Sequence, residues 1–111
     1  LRRMLSVLSG GSILLLTPSS TASQELIGII RKTMHDGYKV HSYPYPASLA
    51  NGFDYEPCAY LQTLEDAKHP ILIPRGITSV ICYSCPLDLV RRMKSMLPTV
   101  VAVGDDTMCG K

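Results

Sequence analysis

Apolar positions along the chain follow two patterns, short unbroken runs and stripes at helical spacing. Residues 12–17 (Ser-Ile-Leu-Leu-Leu-Thr) form a continuous run closed by Pro18, as expected for a strand buried on both faces. Residues 99–103 (Thr-Val-Val-Ala-Val) repeat that pattern ahead of Gly104. Between these runs, Ala22, Leu26, Ile27, Ile30 and Met34 recur at helical spacing and make one apolar stripe. Ser19, Ser20 and Thr21 are all good N-caps, and the pattern predicts a helix opening at Ser20 with Glu25 as acid in its first turn. Arg31, Lys32 and His35 fall where cations favour the helix dipole, and Gly37 suits the C′ position. Tyr38–Tyr43 then reads as a second strand. Strand, helix and strand make a βαβ unit, whose two strands are expected to be parallel with a right-handed crossover.

The second half is less regular. Pro44 and Pro46 close the second strand, Asn51-Gly52 marks a turn, and Pro57 permits a helix start that predicts a short helix over 58–67. Residues 70–73 read as a short strand, 74–76 as a turn and 77–82 as another strand. Pro86 suits the first turn of a helix with the stripe Leu87, Val90, Met93 (or Lys94) and Leu97, which Pro98 ends. Residues 2–9 predict a short helix stopped by Gly10-Gly11. No internal repeat and no low-complexity segment interrupts the chain. These elements predict a single α/β domain over residues 1–111. Its expected architecture is a small three-layer Rossmann-like or flavodoxin-like fold with a mostly parallel sheet of about four or five strands.

Composition supports a packed domain. The chain has 111 residues, 46% hydrophobic and 18% charged, with no Trp and one Phe, so its core must be mainly aliphatic. The formal net charge is +2 with basic residues spread out, which gives no indication of a nucleic-acid partner. Four cysteines are too sparse for a disulfide-stapled scaffold. The N-terminus has the outline of a signal peptide: basic Leu1-Arg2-Arg3, an apolar stretch to Leu16, then small polar residues. Gly10-Gly11 divides that stretch, and the residues after Ser12 make sense as folded structure. An intracellular, cytoplasmic location is therefore expected, with a secreted or organellar one as the alternative. The chain begins at Leu1, which suggests a missing upstream piece. No apolar run reaches the length of about 18 residues that a membrane span needs.

Candidate chemistry lies beyond the carboxyl ends of the strands, where open parallel sheets bind ligands. Three such ends are 17–21, 82–86 and 104–109, and they share one edge if their strands are all parallel. The first presents Thr17, Ser19, Ser20 and Thr21 at a helix N-terminus, a ready anion site, although capping alone explains the same residue types. It lacks the glycines of a dinucleotide fingerprint. Asp105 and Asp106 follow the last strand, where carboxylates hold magnesium or sugar hydroxyls, or simply make a turn. The ending Gly104–Lys111 has five residues between glycines and no Ser or Thr after the lysine, so it is not a P-loop.

Cys82 and Cys85 form a C-x-x-C between a strand and a helix, the local arrangement of a redox dithiol, with a buried structural pair as the plainer reading. The arrangement resembles that of thioredoxin locally, but too few residues follow to complete that fold. Zinc would need a second close cysteine pair, so no metal is assigned. His35, His41 and His69 lie on separate segments and assemble no catalytic set.

The expected function is binding of a phosphate-bearing or other anionic small ligand at the sheet edge; whether the chain is an enzyme, and with which cofactor, does not follow. One alternative is a non-catalytic interaction module, subunit or homo-oligomer using the Tyr/Pro stretch 43–60. The other is a thiol-redox protein using Cys82 and Cys85.

Overall fold

The computed structural model describes residues 6–8, 10–43, 45, 58–64 and 70–104. Within them, five parallel strands form one sheet: β1 (Ile13–Thr17), β2 (Lys39–Ser42), β3 (Cys58–Thr63), β4 (Ser79–Tyr83) and β5 (Thr99–Val103). Helices α1 (Ser20–Thr33) and α2 (Leu87–Lys94) complete the order, and residues 6–8 are helical. The strand order across the sheet is β2-β3-β1-β4-β5.

β1 lies at the centre, and all five of its residues are buried. Its alternating side chains feed two cores. Leu14 and Leu16 join Cys58, Tyr60, Val80 and Cys82 beneath Leu89, Val90 and Met93 of α2. Ile13 and Leu15 join Ala59, Leu61, Ile81 and Val101 beneath Leu26 and Ile30 of α1, with Leu8 beside them. Helices therefore cover both faces of the sheet, giving three layers. The direction of travel explains this. The chain leaves β1 toward β2 and leaves β4 toward β5, in opposite directions across the sheet. With a single crossover hand, opposite directions place the two helices on opposite faces.

Several expectations change. Residues 58–63 form a strand, not the expected helix: β3 inserts between β1 and β2, so the two strands of the βαβ unit are parallel but not adjacent. The remainder of that expected helix, 65–67, lies outside the described residues, as do Asn51-Gly52 and His69. Residues 70–73 join no strand of the sheet. They are held by buried Gln62, whose Nε2 donates to the Pro70 carbonyl (2.8 Å) and whose Oε1 accepts from the Leu72 N–H (3.1 Å). Ile71 and Ile73 pack there against the α2-side core.

α1 is capped by Ser19, whose Oγ accepts from the Ala22 N–H at 3.1 Å. Its first turn holds no acid, since Glu25 comes too late, and it ends at Met34, not at Gly37. Extended backbone at Met34 stops the helix (ψ 163°) while its N–H still closes on the Ile30 carbonyl. In α2 the buried stripe is Leu89, Val90 and Met93; Leu87 is exposed because Pro86 sits one position earlier, as N-cap. Among the described residues, no helix is long and apolar enough to cross a membrane.

Candidate functional site

Because every strand runs the same way, the carboxyl ends of β1, β3, β4 and β2 lie along one edge of the sheet. The connections from β1 and β4 diverge there, the place where such sheets open a crevice. The N-termini of α1 and α2 start from its two sides.

The α1 side is built from hydroxyls. Ser19 takes up the Ala22 N–H with its side chain and the Ser23 N–H with its carbonyl. The N–H groups of Ser20 and Thr21 are then unpaired among the described residues, and both residues are exposed. Helix geometry leaves such donors pointing along the axis, where they favour negative charge. Thr17 is buried at the end of β1 and is engaged otherwise: its hydroxyl meets Ser23 (2.5 Å) and donates to Thr63 (3.4 Å). Ser23 in turn meets Thr63 at 2.8 Å. Sequence reasoning found Thr17 but missed Ser23 and Thr63, the latter because 58–67 read as helix.

The α2 side differs. Pro86 makes no side-chain cap bond, and Asp88 puts a negative charge in the first turn, which disfavours an anion at that terminus. Ser84 there has left-handed backbone (φ 59°) and donates its N–H to the Val103 carbonyl. Gly104 is pressed against it: a Cβ at 104 would stand 2.8 Å from the Ser84 Cα. Tyr83 spans the two sides, donating its hydroxyl to Glu25 of α1 at 3.3 Å. Asp105 and Asp106 lie outside the described residues.

Cys82 and Cys85 are both fully buried, with no exposed surface, and Cys58 is buried as well; all three are thiols outside any disulfide. Cys85 donates to the Leu16 carbonyl at 3.3 Å. Its hydrogen bond with Cys82, together with burial, pushes the Cys85 thiol up, while the same bond pulls Cys82 down. Among the described residues, no group of three or more His, Cys, Asp or Glu is placed to hold a metal.

Beside the hydroxyl cluster, between α1 and the ends of β2 and β3, lies a cleft of about 260 Å³ lined by Ser20, Ser23, Gln24, Ile27, Ser42, Tyr43, Leu61 and Thr63. A larger hollow of about 480 Å³ lies at the opposite edge, where Arg31, His35 and Asp36 surround Tyr38. The Tyr38 hydroxyl is buried with no partner among the described residues, so a ligand in that hollow meets charge at the rim and no accessible donor from Tyr38. His41, mid-strand in β2, has its ring beside that of Tyr60 (5.7 Å between centroids). Of the described tyrosines in the Tyr/Pro stretch, Tyr60 is 3% exposed, Tyr45 packs edge-on against it and Tyr43 is exposed; Tyr55 lies outside the described residues. The chain matches no protein-family model, no curated protein and no solved structure.

Proposed function

We propose that this chain binds a small phosphate-bearing or otherwise anionic molecule at the carboxyl edge of its sheet, with the charged group on the N-terminus of α1. The observation that supports this reading is the parallel arrangement of all five strands, which sets the carboxyl ends of β1 and β4, the position where such sheets bind ligands, beside the N–H groups of Ser20 and Thr21 that are unpaired among the described residues. Ser19 fixes the orientation of that first turn, and Thr17 anchors its hydroxyl cluster. α1 suits an anion better than α2 does, since its first turn lacks an acid and that of α2 contains Asp88.

The binding this implies is modest. Arg31 and Lys32, and Arg91, Arg92 and Lys94, sit in the last turns of their helices, away from this edge. Backbone donors and the helix dipole must hold the charge without a lysine or arginine from those helices, so affinity should fall as salt rises. The test is a thermal-shift series with phosphate, sulfate, acetate and phosphomonoesters. A saturable rise in Tm with phosphate compounds, reduced at high salt, is expected. No rise with any anion would count against the reading.

A further inference from the structure

Resting on that reading, we infer that the cleft beside the α1 N-terminus takes an uncharged, hydroxyl-bearing portion of the ligand, so that the ligand class is a phosphorylated sugar or polyol. Among the described residues, the cleft contains no charged side chain: its polar wall is Ser20, Ser23, Gln24, Ser42 and Thr63, its apolar floor Ile27 and Leu61, and Tyr43 flanks it. A second phosphate or carboxylate would find no countercharge there. An alkyl chain would strand the hydroxyl rim without partners.

The direction of the hydrogen bonds narrows the chemistry further. Thr17 donates to Thr63. The ring closes with every hydroxyl satisfied when Thr63 donates to Ser23 and Ser23 to Thr17. Each proton of the cluster is then spent inside it, and Thr63, which is exposed, offers its one remaining lone pair outward. Ser20, Gln24 and Ser42 are exposed and unpaired among the described residues, and between them they can both donate and accept. A wall that accepts at Thr63 and is amphoteric at Ser20, Gln24 and Ser42 matches groups that also donate and accept, which sugar hydroxyls do. Tyr43 is 50% exposed, its N–H tied to the Leu61 carbonyl at 2.8 Å and its ring set edge-on to Tyr45. It is therefore a fixed aromatic flank for the C–H face of a sugar ring. Ser20 belongs both to the cleft and to the first turn of α1, which joins the two halves of the ligand at one residue.

The experiment is a titration of the full chain, followed by NMR or calorimetry, with inorganic phosphate, n-butyl phosphate and ribose 5-phosphate. Ribose 5-phosphate should bind about tenfold more tightly than butyl phosphate, the effect of one or two net hydrogen bonds. Ser42→Ala, on the exposed end of β2, should reduce that preference several-fold and leave inorganic phosphate binding unchanged, and Thr63→Val should reduce the preference as well. Equal affinity for butyl and ribose phosphates would overturn the inference while leaving the anion reading intact. A preference that survives both substitutions would move the sugar out of this cleft and overturn it as well. If none of the three compounds binds, both readings fall.

Discussion

Ser84 is the one described non-glycine residue with left-handed backbone (φ 59°), and it sits after β4 between Cys82 and Cys85. An L-residue pays about 1–2 kcal/mol for that conformation relative to the right-handed one. Ser84→Gly should therefore stabilise the protein by up to about 1 kcal/mol in urea denaturation. Gly104→Ala should do the opposite, by about 2 kcal/mol or more, because its φ of 150° and the backbone of Ser84 both refuse a Cβ. None of this was legible in the sequence. Ser84 was an unremarked member of a C-x-x-C spacer, and its contact with Gly104 depends on β4 and β5 pairing. The thiols that flank it were legible by position but not by environment. Their burial predicts that Cys58, Cys82 and Cys85 resist alkylation in the native protein and react only after unfolding, as peptide mapping would report.

Tyr38 gives the residue scale a pH dependence. Burial, with a smaller contribution from Cys58, raises its phenol to about 12, and its hydroxyl has no partner among the described residues. Tyr45 is pushed up as well, by burial and by Tyr43. The folded state favours the neutral phenols, so their contribution is intact below the unfolded value near 10 and is lost as pH rises through the folded values. Stability should fall between pH 10 and 12 and beyond, and Tyr38→Phe should flatten part of that fall in an alkaline denaturation series.

At the scale of elements, α1 and β3 mark the limits of local pattern. α1 was readable because its apolar stripe, its N-terminal hydroxyls and its C-terminal cations agree with one another. Only its ends shifted, by the choice of Ser19 as cap and by extended backbone at Met34. β3 was not readable. Cys-Ala-Tyr-Leu-Gln-Thr is buried at its first five positions because it lies between two strands; the six residues alone carry neither a period of two nor a helical stripe. Its partner strands decide its state. The same insertion explains Gln62, a buried polar residue that clamps residues 70–72 over the α2 face. Gln62→Leu should cost about 1–3 kcal/mol by leaving the Pro70 carbonyl and Leu72 N–H unpaired, with faster amide exchange at Leu72. Ser19→Ala should cost about 1 kcal/mol and Ser19→Gly only a few tenths, the signature of a cap.

At the scale of the molecule, the sheet turns a list of loops into one edge. The sequence located the α1 loop and the C-x-x-C loop separately; the parallel pairing of β1 with both β3 and β4 sets their ends side by side. It also reassigns what lies there. Thr63 arrives from a segment that read as helix, and Cys82 and Cys85 withdraw into the core beneath α2. What is left at the edge is a helix N-terminus, a hydroxyl cluster whose exposed member is Thr63, and a cleft with no charged side chain among the described residues. Binding of an anion on that terminus is the proposed function. Its most direct test is an amide chemical-shift titration of the full chain with inorganic phosphate. Saturable shifts concentrated at Ser19, Ser20, Thr21 and Ala22, weakened at high salt, are expected. Shifts that never saturate, or that gather at the basic helix ends around Arg31 and Arg91, would contradict it.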